Sequence, residues 1–428
     1  MEKAPKSARL HIGLFGRRNV GKSSLLNAVT RQMVAIVSDV PGTTTDAVEK
    51  AMELQPIGPV LFIDTAGIDD EGALGELRVQ STRQVFDRTD VGLIVTDAGV
   101  WGHFEELLLQ ELKGRRIPAI VVFNKDDLGQ PAPELLQRLA GEKVPVVRAV
   151  ATRREGGDEL RDALIRHAPD DFINPTSILQ DLVPPGELVV LVVPIDLEAP
   201  RGRLILAQVQ TIRDVLDGDA YCIVVKESHL TDALRRLKSP PALVVTDSQA
   251  FRQVAAEVPP DIPLTSFSIL FARYKGDLTE FVRGVSAIRR LRSGSRVLIS
   301  EACSHHPIGD DIGRVKIPRW LQEHVGADLD ITVFQGRDLP DDLATYELVV
   351  HCGACTWNRR EVLSRIERCR RAGVPISNYG MTIAFTVGIL ERALAPFPHA
   401  LEAWRELEGE AGLEDRKGLA QPDRVSVG

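Results

Sequence analysis

The feature that most limits the possible folds is the glycine-rich segment from Gly16 to Ser23. It reads Gly-Arg-Arg-Asn-Val-Gly-Lys-Ser, which fits the spacing GxxxxGK[ST], and it lies between an apolar run, His11–Phe15, and a helical pattern, Ser24–Arg31. A loop of this kind between a strand and a helix wraps backbone N–H groups around phosphate at the positive end of the helix dipole. An accidental glycine-rich turn is the alternative. The strand and helix on either side favour a P-loop nucleotide-binding domain.

Each polar residue of this loop has an expected role. Lys22 is expected to reach the β- and γ-phosphates, and the Ser23 hydroxyl is expected to bind Mg²⁺. Gly16, Gly21 and Ser24 complete the predicted phosphate-contacting set.

Two further segments predict the remaining contacts to Mg²⁺ and the γ-phosphate. Asp64 begins an Asp-Thr-Ala-Gly motif at the end of an apolar strand, so it is expected to hold Mg²⁺ through water, and the Gly67 N–H is expected to sense the γ-phosphate. Between the first helix and this strand, residues 41–46 read Pro-Gly-Thr-Thr-Thr-Asp. Thr43 and Thr44 are both candidates for the catalytic switch threonine, with Thr44 as the Mg²⁺ ligand. An ordinary threonine-rich turn is the alternative.

Guanine specificity is predicted by the Asn-Lys-Asp-Asp segment that follows another apolar strand. Asp127 can accept both N–H groups on the guanine edge, which adenine does not supply, while Asn124 and Lys125 brace the base. Downstream, Ala151 occupies the place of the loop that backs the base, although Val150 replaces the usual serine. Three motifs in this order and spacing predict a GTP-binding domain.

The rest of the chain predicts further α/β domains. With 428 residues the chain is too long for one ordinary core. Apolar runs alternate with helical patterns throughout, which is typical of parallel sheets covered by helices. We expect a doubly wound P-loop GTPase domain followed by two smaller α/β domains and a polar, poorly ordered tail. The predicted bounds are 1–170 for the GTPase domain, 171–262 and 263–400 for the two smaller α/β domains, and 401–428 for the tail.

Composition and charge limit the cellular compartment and the partners that we expect. The net charge of −8 argues against a general nucleic-acid binder, and no signal peptide or membrane-spanning apolar run is evident, so we expect a cytoplasmic protein with no membrane partner. Five cysteines do not make a disulfide framework. Two of them, Cys222 and Cys369, fall within strand and helix patterns and are interpreted as core residues.

The other three cysteines form two clusters, each directly after a predicted strand. One contains Cys303 and His305, and the other contains His351, Cys352 and Cys355. Carboxyl ends of parallel strands are where ligand sites form, and thiolates suit iron–sulfur clusters or zinc. Unbound buried cysteines, or a zinc site of three cysteines and one histidine, are the alternatives that the residues leave open.

The motifs of the first domain together resemble GTPases of the Era and TrmE type. The resemblance implies that Asn19 of the P-loop helps to bind a K⁺ ion, which adds positive charge beside the phosphates during catalysis. The alternative role of Asn19 is to stabilise a turn. Ile68 follows Gly67 where Ras-like enzymes have a glutamine, and isoleucine cannot orient water.

A GTPase of this type followed by the Cys/His clusters resembles the [FeFe]-hydrogenase maturation GTPases. That family implies that residues 171–262 form a dimerisation domain and that residues 263–400 form an iron–sulfur cluster-binding domain. Its [4Fe–4S] cluster would be held by Cys303, Cys352 and Cys355, with His305 and His351 as further candidate iron ligands. It also implies slow, K⁺-stimulated GTP hydrolysis, a homodimer, and a scaffold that carries a diiron precursor from radical-SAM maturases to apo-[FeFe]-hydrogenase. Two alternatives are an Era/TrmE-like GTPase acting on RNA and a metal-insertion GTPase with structural zinc.

Overall fold

The computed structural model describes residues 4–30, 48–65, 82–173, 176–194, 204–302 and 311–418. The chain divides into two compact units, residues 1–176 and 177–428. The division falls within residues 169–185, a stretch rich in Asp, Pro, Asn and Ser.

The first unit is built on a six-stranded sheet in the order β2-β3-β1-β4-β5-β6. All neighbours are parallel except β2, which runs antiparallel to β3 at the edge. The central strands read as continuous apolar runs because helices cover both faces, whereas β2 alternates between exposed and half-buried positions. The strands are β1 Leu10–Phe15, β2 Val48–Leu54, β3 Gly58–Asp64, β4 Val91–Asp97, β5 Ala119–Asn124 and β6 Val146–Arg148.

Helices on the two faces of this sheet bury separate apolar clusters. One cluster includes Leu25 and Leu160, and the other includes Leu109 and Leu139. Loops at the carboxyl ends of β1, β3 and β5 carry the predicted nucleotide motifs, so the parallel topology places them at one edge of the sheet. The helices are α1 Lys22–Thr30, α2 His103–Gly114, α3 Pro133–Gly141, α4 Gly157–His167 and α5 Asp170–Ile173.

The second unit contains two parallel four-stranded sheets, in the orders β10-β9-β7-β8 and β12-β11-β13-β14. Their buried side chains form one continuous apolar core. The first sheet consists of β7 Leu188–Val192, β8 Tyr221–Val225, β9 Leu243–Thr246 and β10 Leu264–Ser266, and the second of β11 Arg296–Glu301, β12 Asp330–Gln335, β13 Leu348–His351 and β14 Ile376–Asn378.

Helices connect these strands, as parallel pairing requires. Among the described residues, no helix combines the length and the apolar character that crossing a bilayer requires. The helices are α6 Leu206–Asp217, α7 Leu230–Arg236, α8 Phe251–Glu257, α9 Phe267–Lys275, α10 Leu278–Ser286, α11 Ile317–Val325, α12 Arg359–Arg371, α13 Tyr379–Thr386, α14 Leu390–Leu394 and α15 Pro398–Gly418.

The expectation of a poorly ordered tail is wrong for most of its length. Residues 398–418 form the helix α15, and Trp404 is only 5% exposed because its ring packs edge-on against Phe385. Ala400, Trp404 and Leu407 recur at helical spacing and pack on the core. Charged residues of the same helix, Glu402, Arg405, Glu406 and Glu408, occupy exposed positions. The predicted fold class, an α/β P-loop GTPase domain followed by further α/β domains, is confirmed.

Candidate functional site

The glycines of the P-loop occupy positions where a side chain does not fit. Gly16 and Gly21 have φ angles of +150° and +88°, and a Cβ on Gly16 would lie 2.1 Å from the Val95 carbonyl oxygen. A Cβ on Gly21 would lie 2.3 Å from the side-chain nitrogen of Asn124. Asn19 also has a positive φ of 62°, a conformation that asparagine tolerates better than most residues. These conformations form the loop that cradles phosphate.

Polar groups for phosphate and Mg²⁺ converge beside this loop. Lys22 is buried and its Nζ donates to the carbonyl oxygens of Gly16 and Arg17, both at 2.9 Å. Ser23 Oγ donates to Asp64 Oδ2 at 3.1 Å. Burial raises the pKa of Asp64, while the nearby charge of Lys22 and the Ser23 hydroxyl oppose this.

This arrangement fits Mg²⁺. Asp64 Oδ1 is buried and has no hydrogen-bond partner among the described residues. A buried carboxylate oxygen without a partner is unfavourable unless a cation satisfies it, and Mg²⁺ prefers oxygen ligands. Ser23 and Asp64 are therefore the residues positioned to hold it.

Asn124 joins the P-loop to the loop that backs the base. Its Nδ2 donates to the Val20 carbonyl at 2.7 Å, and its Oδ1 accepts the Ala151 N–H at 3.1 Å. Asn124 is 2% exposed, so both bonds are shielded from water. Lys125 has a φ of 55° and its Nζ lies 3.0 Å from Asp97 Oδ1. The Asn-Lys motif thus ties three loops together.

Asp127 lies in the same loop, with its carboxylate partly exposed. Its Oδ2 is 3.1 Å from an Arg153 guanidinium nitrogen, and the neighbouring Asp126 accepts a bond of 2.7 Å from Arg148. The Asp127 carboxylate is therefore accessible and lies just after the end of β5.

One supporting residue of the P-loop carries no sequence motif. Glu105, near the start of α2, is fully buried and accepts from Arg17 Nε at 2.7 Å and from the Gly102 N–H at 2.9 Å. Burial opposes its ionisation, but these hydrogen bonds and the Arg17 charge together lower the pKa of Glu105. The sequence signal for it is only that of a helix N-terminus.

Several predicted site residues lie outside the described ranges. They are Thr43, Thr44, Gly67, Cys303 and His305.

The second unit places its cysteine loop at a topological switch point. The chain runs from β11 to β12 on one side of β11 and then crosses to β13 on its other side. Cys352 directly follows β13. The Ala302 N–H, at the end of β11, donates to Cys352 Sγ at 3.1 Å. Cys355 is exposed at the outer part of the loop. Ala302, the last described residue before Cys303, therefore lies beside Cys352 at the same edge of the sheet.

His351 lies beneath this loop and not on its surface. It is 1% exposed, its Nδ1 is 2.6 Å from the Cys352 carbonyl oxygen, and its Nε2 is 3.3 Å from a nitrogen of Arg365. Burial and the Arg365 charge lower the pKa of His351 to about 3, so the ring is neutral. Nδ1 then donates and Nε2 accepts, and both ring nitrogens are engaged within the protein.

Arg365 is itself a buried cation, and no motif predicts it. It donates to Ser300 Oγ at 2.6 Å and to the carbonyls of Gly336 and Arg337 at 2.9 and 3.0 Å. Its guanidinium lies 4.3 Å from the centroid of the Trp357 ring. Burial lowers the pKa of Arg365 to about 10, which leaves it charged at neutral pH.

The described donors fit a soft metal. Cys352 and Cys355 are free thiols in one CxxC loop, and Cys352 Sγ accepts a hydrogen bond from the Ala302 backbone N–H. Within the described ranges, no group of three or more His, Cys, Asp or Glu side chains is arranged to hold a metal. A complete site therefore needs a ligand from elsewhere, and Cys303 is the predicted one.

Known families match residues in both units of the chain. Residues 11–125 match the family described as 50S ribosome-binding GTPase. The first unit is thus a P-loop GTPase domain. Residues 178–276 match the hydrogen maturase F dimerization domain, and residues 279–396 match the hydrogen maturase F tetramerization domain. The chain belongs to the hydrogen maturase F family, with an Era/TrmE-like GTPase domain.

Curated relatives and solved structures match between about a third and a half of this chain. The tRNA modification GTPase MnmE of Picosynechococcus sp. is 40% identical over 160 residues, which is 36% of this chain and 34% of the relative. MnmE of Shouchella clausii is 37% identical over 37% of this chain and 34% of the relative. The chain thus spans about a third of the length of these relatives.

Two solved structures are also similar. Era from Aquifex aeolicus, bound to GDP and aluminium fluoride, shares 22% identity with a TM-score of 0.33, over 50% of this chain and 92% of that one. The G domain of the FeoB iron transporter from T. maritima shares 23% identity with a TM-score of 0.30, over 38% of this chain and 99% of that one.

Proposed function

We propose that this chain is a GTP-hydrolysing scaffold that binds a [4Fe–4S] cluster and delivers a diiron precursor to apo-[FeFe]-hydrogenase. The observation that carries the proposal is the CxxC loop at the carboxyl ends of β11 and β13, in a chain of the hydrogen maturase F family. Radical-SAM maturases are the proposed source of the precursor. The cytoplasmic location stays a prediction.

In the GTPase unit, the proposed roles follow the contacts described above. Lys22 supplies positive charge to the transferring phosphate, Ser23 and Asp64 hold Mg²⁺, and Asp127 selects guanine. Thr43 and Thr44 remain the proposed switch threonines. Hydrolysis is proposed to be slow and K⁺-stimulated, since Ile68 cannot orient water and Asn19 is the proposed K⁺ contact.

In the second unit, Cys303, Cys352 and Cys355 are the proposed cluster ligands. Three thiolates leave one iron open to an exchangeable ligand, which suits a scaffold that must accept and release a precursor. His351 is proposed to support the loop and not to bind iron, since both its nitrogens are held by Cys352 O and Arg365. His305 stays a candidate ligand.

The cluster assignment is tested by anaerobic reconstitution with iron and sulfide. The wild-type protein should bind iron and sulfide and give a cubane EPR signal on reduction, and Cys352→Ala should lose both. Cys222→Ala, which removes a half-buried cysteine of β8, is the matched control and should behave as wild type. Tight zinc binding with no iron–sulfur signal would instead support the metal-insertion alternative.

We also propose that two copies of the chain pair through β8. This strand is the edge of its sheet, and Tyr221, Ile223 and Val224 on it are 55%, 37% and 43% exposed. An exposed apolar edge strand invites pairing with another strand. The occupant is a second copy, because β8 lies within residues 178–276, which match a dimerization domain.

Analytical ultracentrifugation tests this interface. Ile223→Lys should shift the protein from dimer to monomer at micromolar concentration, because it places a charge in an apolar contact. Ile173→Lys makes the same change at a 55% exposed position in the first unit and should not. A dimer that survives Ile223→Lys unchanged would place the interface elsewhere.

A further inference from the structure

Beyond the ligands themselves, the cysteine loop rests on a buried lysine. Lys275 is the last residue of α9 and is only 3% exposed. Its Nζ donates to three backbone carbonyls, those of Ala354 at 3.0 Å, Cys355 at 2.9 Å and Trp357 at 2.9 Å. All three acceptors belong to the segment that begins at the CxxC motif. The three N–H donors of the ammonium are therefore used to hold this one loop.

The contact is reciprocal. Arg359, the first residue of α12, lies just after the loop and donates to the carbonyls of Tyr274 at 2.9 Å and Gly276 at 3.0 Å. Carbonyls at the end of a helix have no partner within the helix, so Arg359 caps the end of α9. Each segment thus supplies the cation that satisfies the carbonyls of the other.

The charge of Lys275 also has no balancing carboxylate in contact. Among the residues that the structure describes, Lys275 makes no ion pair with Asp or Glu, and its partners are carbonyl dipoles. A buried cation of this kind is unfavourable unless an anion lies nearby. Glu361, Cys352 and Cys355 interact electrostatically with Lys275, and a cluster bound by the two thiolates would bring further negative charge to the same place.

We propose that Lys275 is a positioning residue, which fixes the backbone of the cysteine loop and supplies the buried cation that offsets the charge of the bound cluster. This inference rests on the proposed cluster-binding function. It has two consequences: the loop is ordered before any cluster binds, and the cluster is easier to reduce with Lys275 present, since a nearby cation stabilises the added electron.

The first consequence is tested without a cluster, by hydrogen exchange of the apo-protein. In Lys275→Met, amides of residues 352–357 should exchange about tenfold faster or more than in wild type, since charge-assisted hydrogen bonds are lost. Lys238→Met, which removes the same charge from an exposed position of the same unit, is the matched control and should exchange as wild type. Equal exchange in Lys275→Met and wild type would overturn the positioning role.

The second consequence is tested on the reconstituted proteins by EPR-monitored redox titration. Lys275→Met should bind less iron or show a lower midpoint potential, while Lys275→Arg, which keeps the charge, should have a potential nearer to that of wild type. A merely structural role would not give this rescue. Wild-type iron content and potential in Lys275→Met would overturn the charge-offsetting role.

A third variant covers the case in which Lys275→Met loses its far-UV circular dichroism. Arg359→Gln removes the other half of the contact and leaves Lys275 in place, so faster exchange of residues 352–357 would support the proposal and unchanged exchange would overturn it. A wild-type protein that binds no iron–sulfur cluster would contradict the proposed function. The hydrogen exchange of residues 352–357 would then decide by itself whether Lys275 positions the loop.

Discussion

Removing the Asn124 side chain should destabilise the first unit strongly, although this residue is expected only to brace a base. In Asn124→Ala, the Val20 carbonyl and the Ala151 N–H both lose their partner. Both sites are buried, and each such group costs about 1–3 kcal/mol when it is left unsatisfied. Water entering the small cavity recovers part of this, so the free energy of unfolding of the first unit should fall by about 2–5 kcal/mol.

The assay is hydrogen exchange with mass spectrometry, because it reports on each unit separately. Peptides from β1 and β5 should lose about 30-fold or more of their protection, since about 1.4 kcal/mol corresponds to a factor of ten. Peptides from β11 and β13 should be unchanged. Arg148→Gln, which removes the solvent-exposed pair with Asp126, is the control and should change stability by about 1 kcal/mol or less. A change below about 0.5 kcal/mol in Asn124→Ala would refute the reasoning.

Three further predictions concern single side chains. Asp127→Asn should shift nucleotide preference from guanine toward xanthine, because a donor then faces the guanine N–H groups; unchanged selectivity in competition binding would remove the assignment. GTP turnover should be faster in K⁺ than in Na⁺, and Asn19→Ala should abolish this difference; equal rates in the two salts for wild type would end the K⁺ proposal. In the apo-protein, iodoacetamide should label the exposed Cys355 and spare the buried Cys369. The reason is that burial raises the pKa of the Cys369 thiol to about 12, and the thiolate is the reactive form. Similar labelling rates at the two cysteines would contradict the structure.

Much of the fold was predictable because parallel strands carry a strong sequence signal. The apolar run predicted at His11–Phe15 lies within β1 Leu10–Phe15, and the helical pattern predicted at Ser24–Arg31 overlaps α1 Lys22–Thr30. Strand β2 was missed, since its alternating pattern at a sheet edge contains too few apolar residues to distinguish it from a loop. The end of the chain was misjudged because Trp404 and its apolar neighbours are spaced among many charges.

The functional sites also contain some residues that a sequence motif identifies and others that no motif identifies. Residues with motif chemistry, such as Lys22, Asp64 and Cys352, were identified as candidates from the sequence because their proposed chemistry requires a fixed residue type at a fixed spacing. Their supports were not. Lys275 contacts a loop about 80 residues away in the chain, and only the packing of α9 against α12 and α13 brings the two together.

The central claim is that the GTPase unit and the cysteine loop serve one delivery process. The most direct measurement is hydrogen evolution by apo-[FeFe]-hydrogenase after anaerobic incubation with this protein and the radical-SAM maturases. Wild type should activate the hydrogenase. Cys352→Ala should not activate it, although its GTP hydrolysis stays near wild type, and Lys22→Ala should not activate it either, although it keeps its cluster. Normal activation by Cys352→Ala, with its iron–sulfur signal intact, would contradict the account.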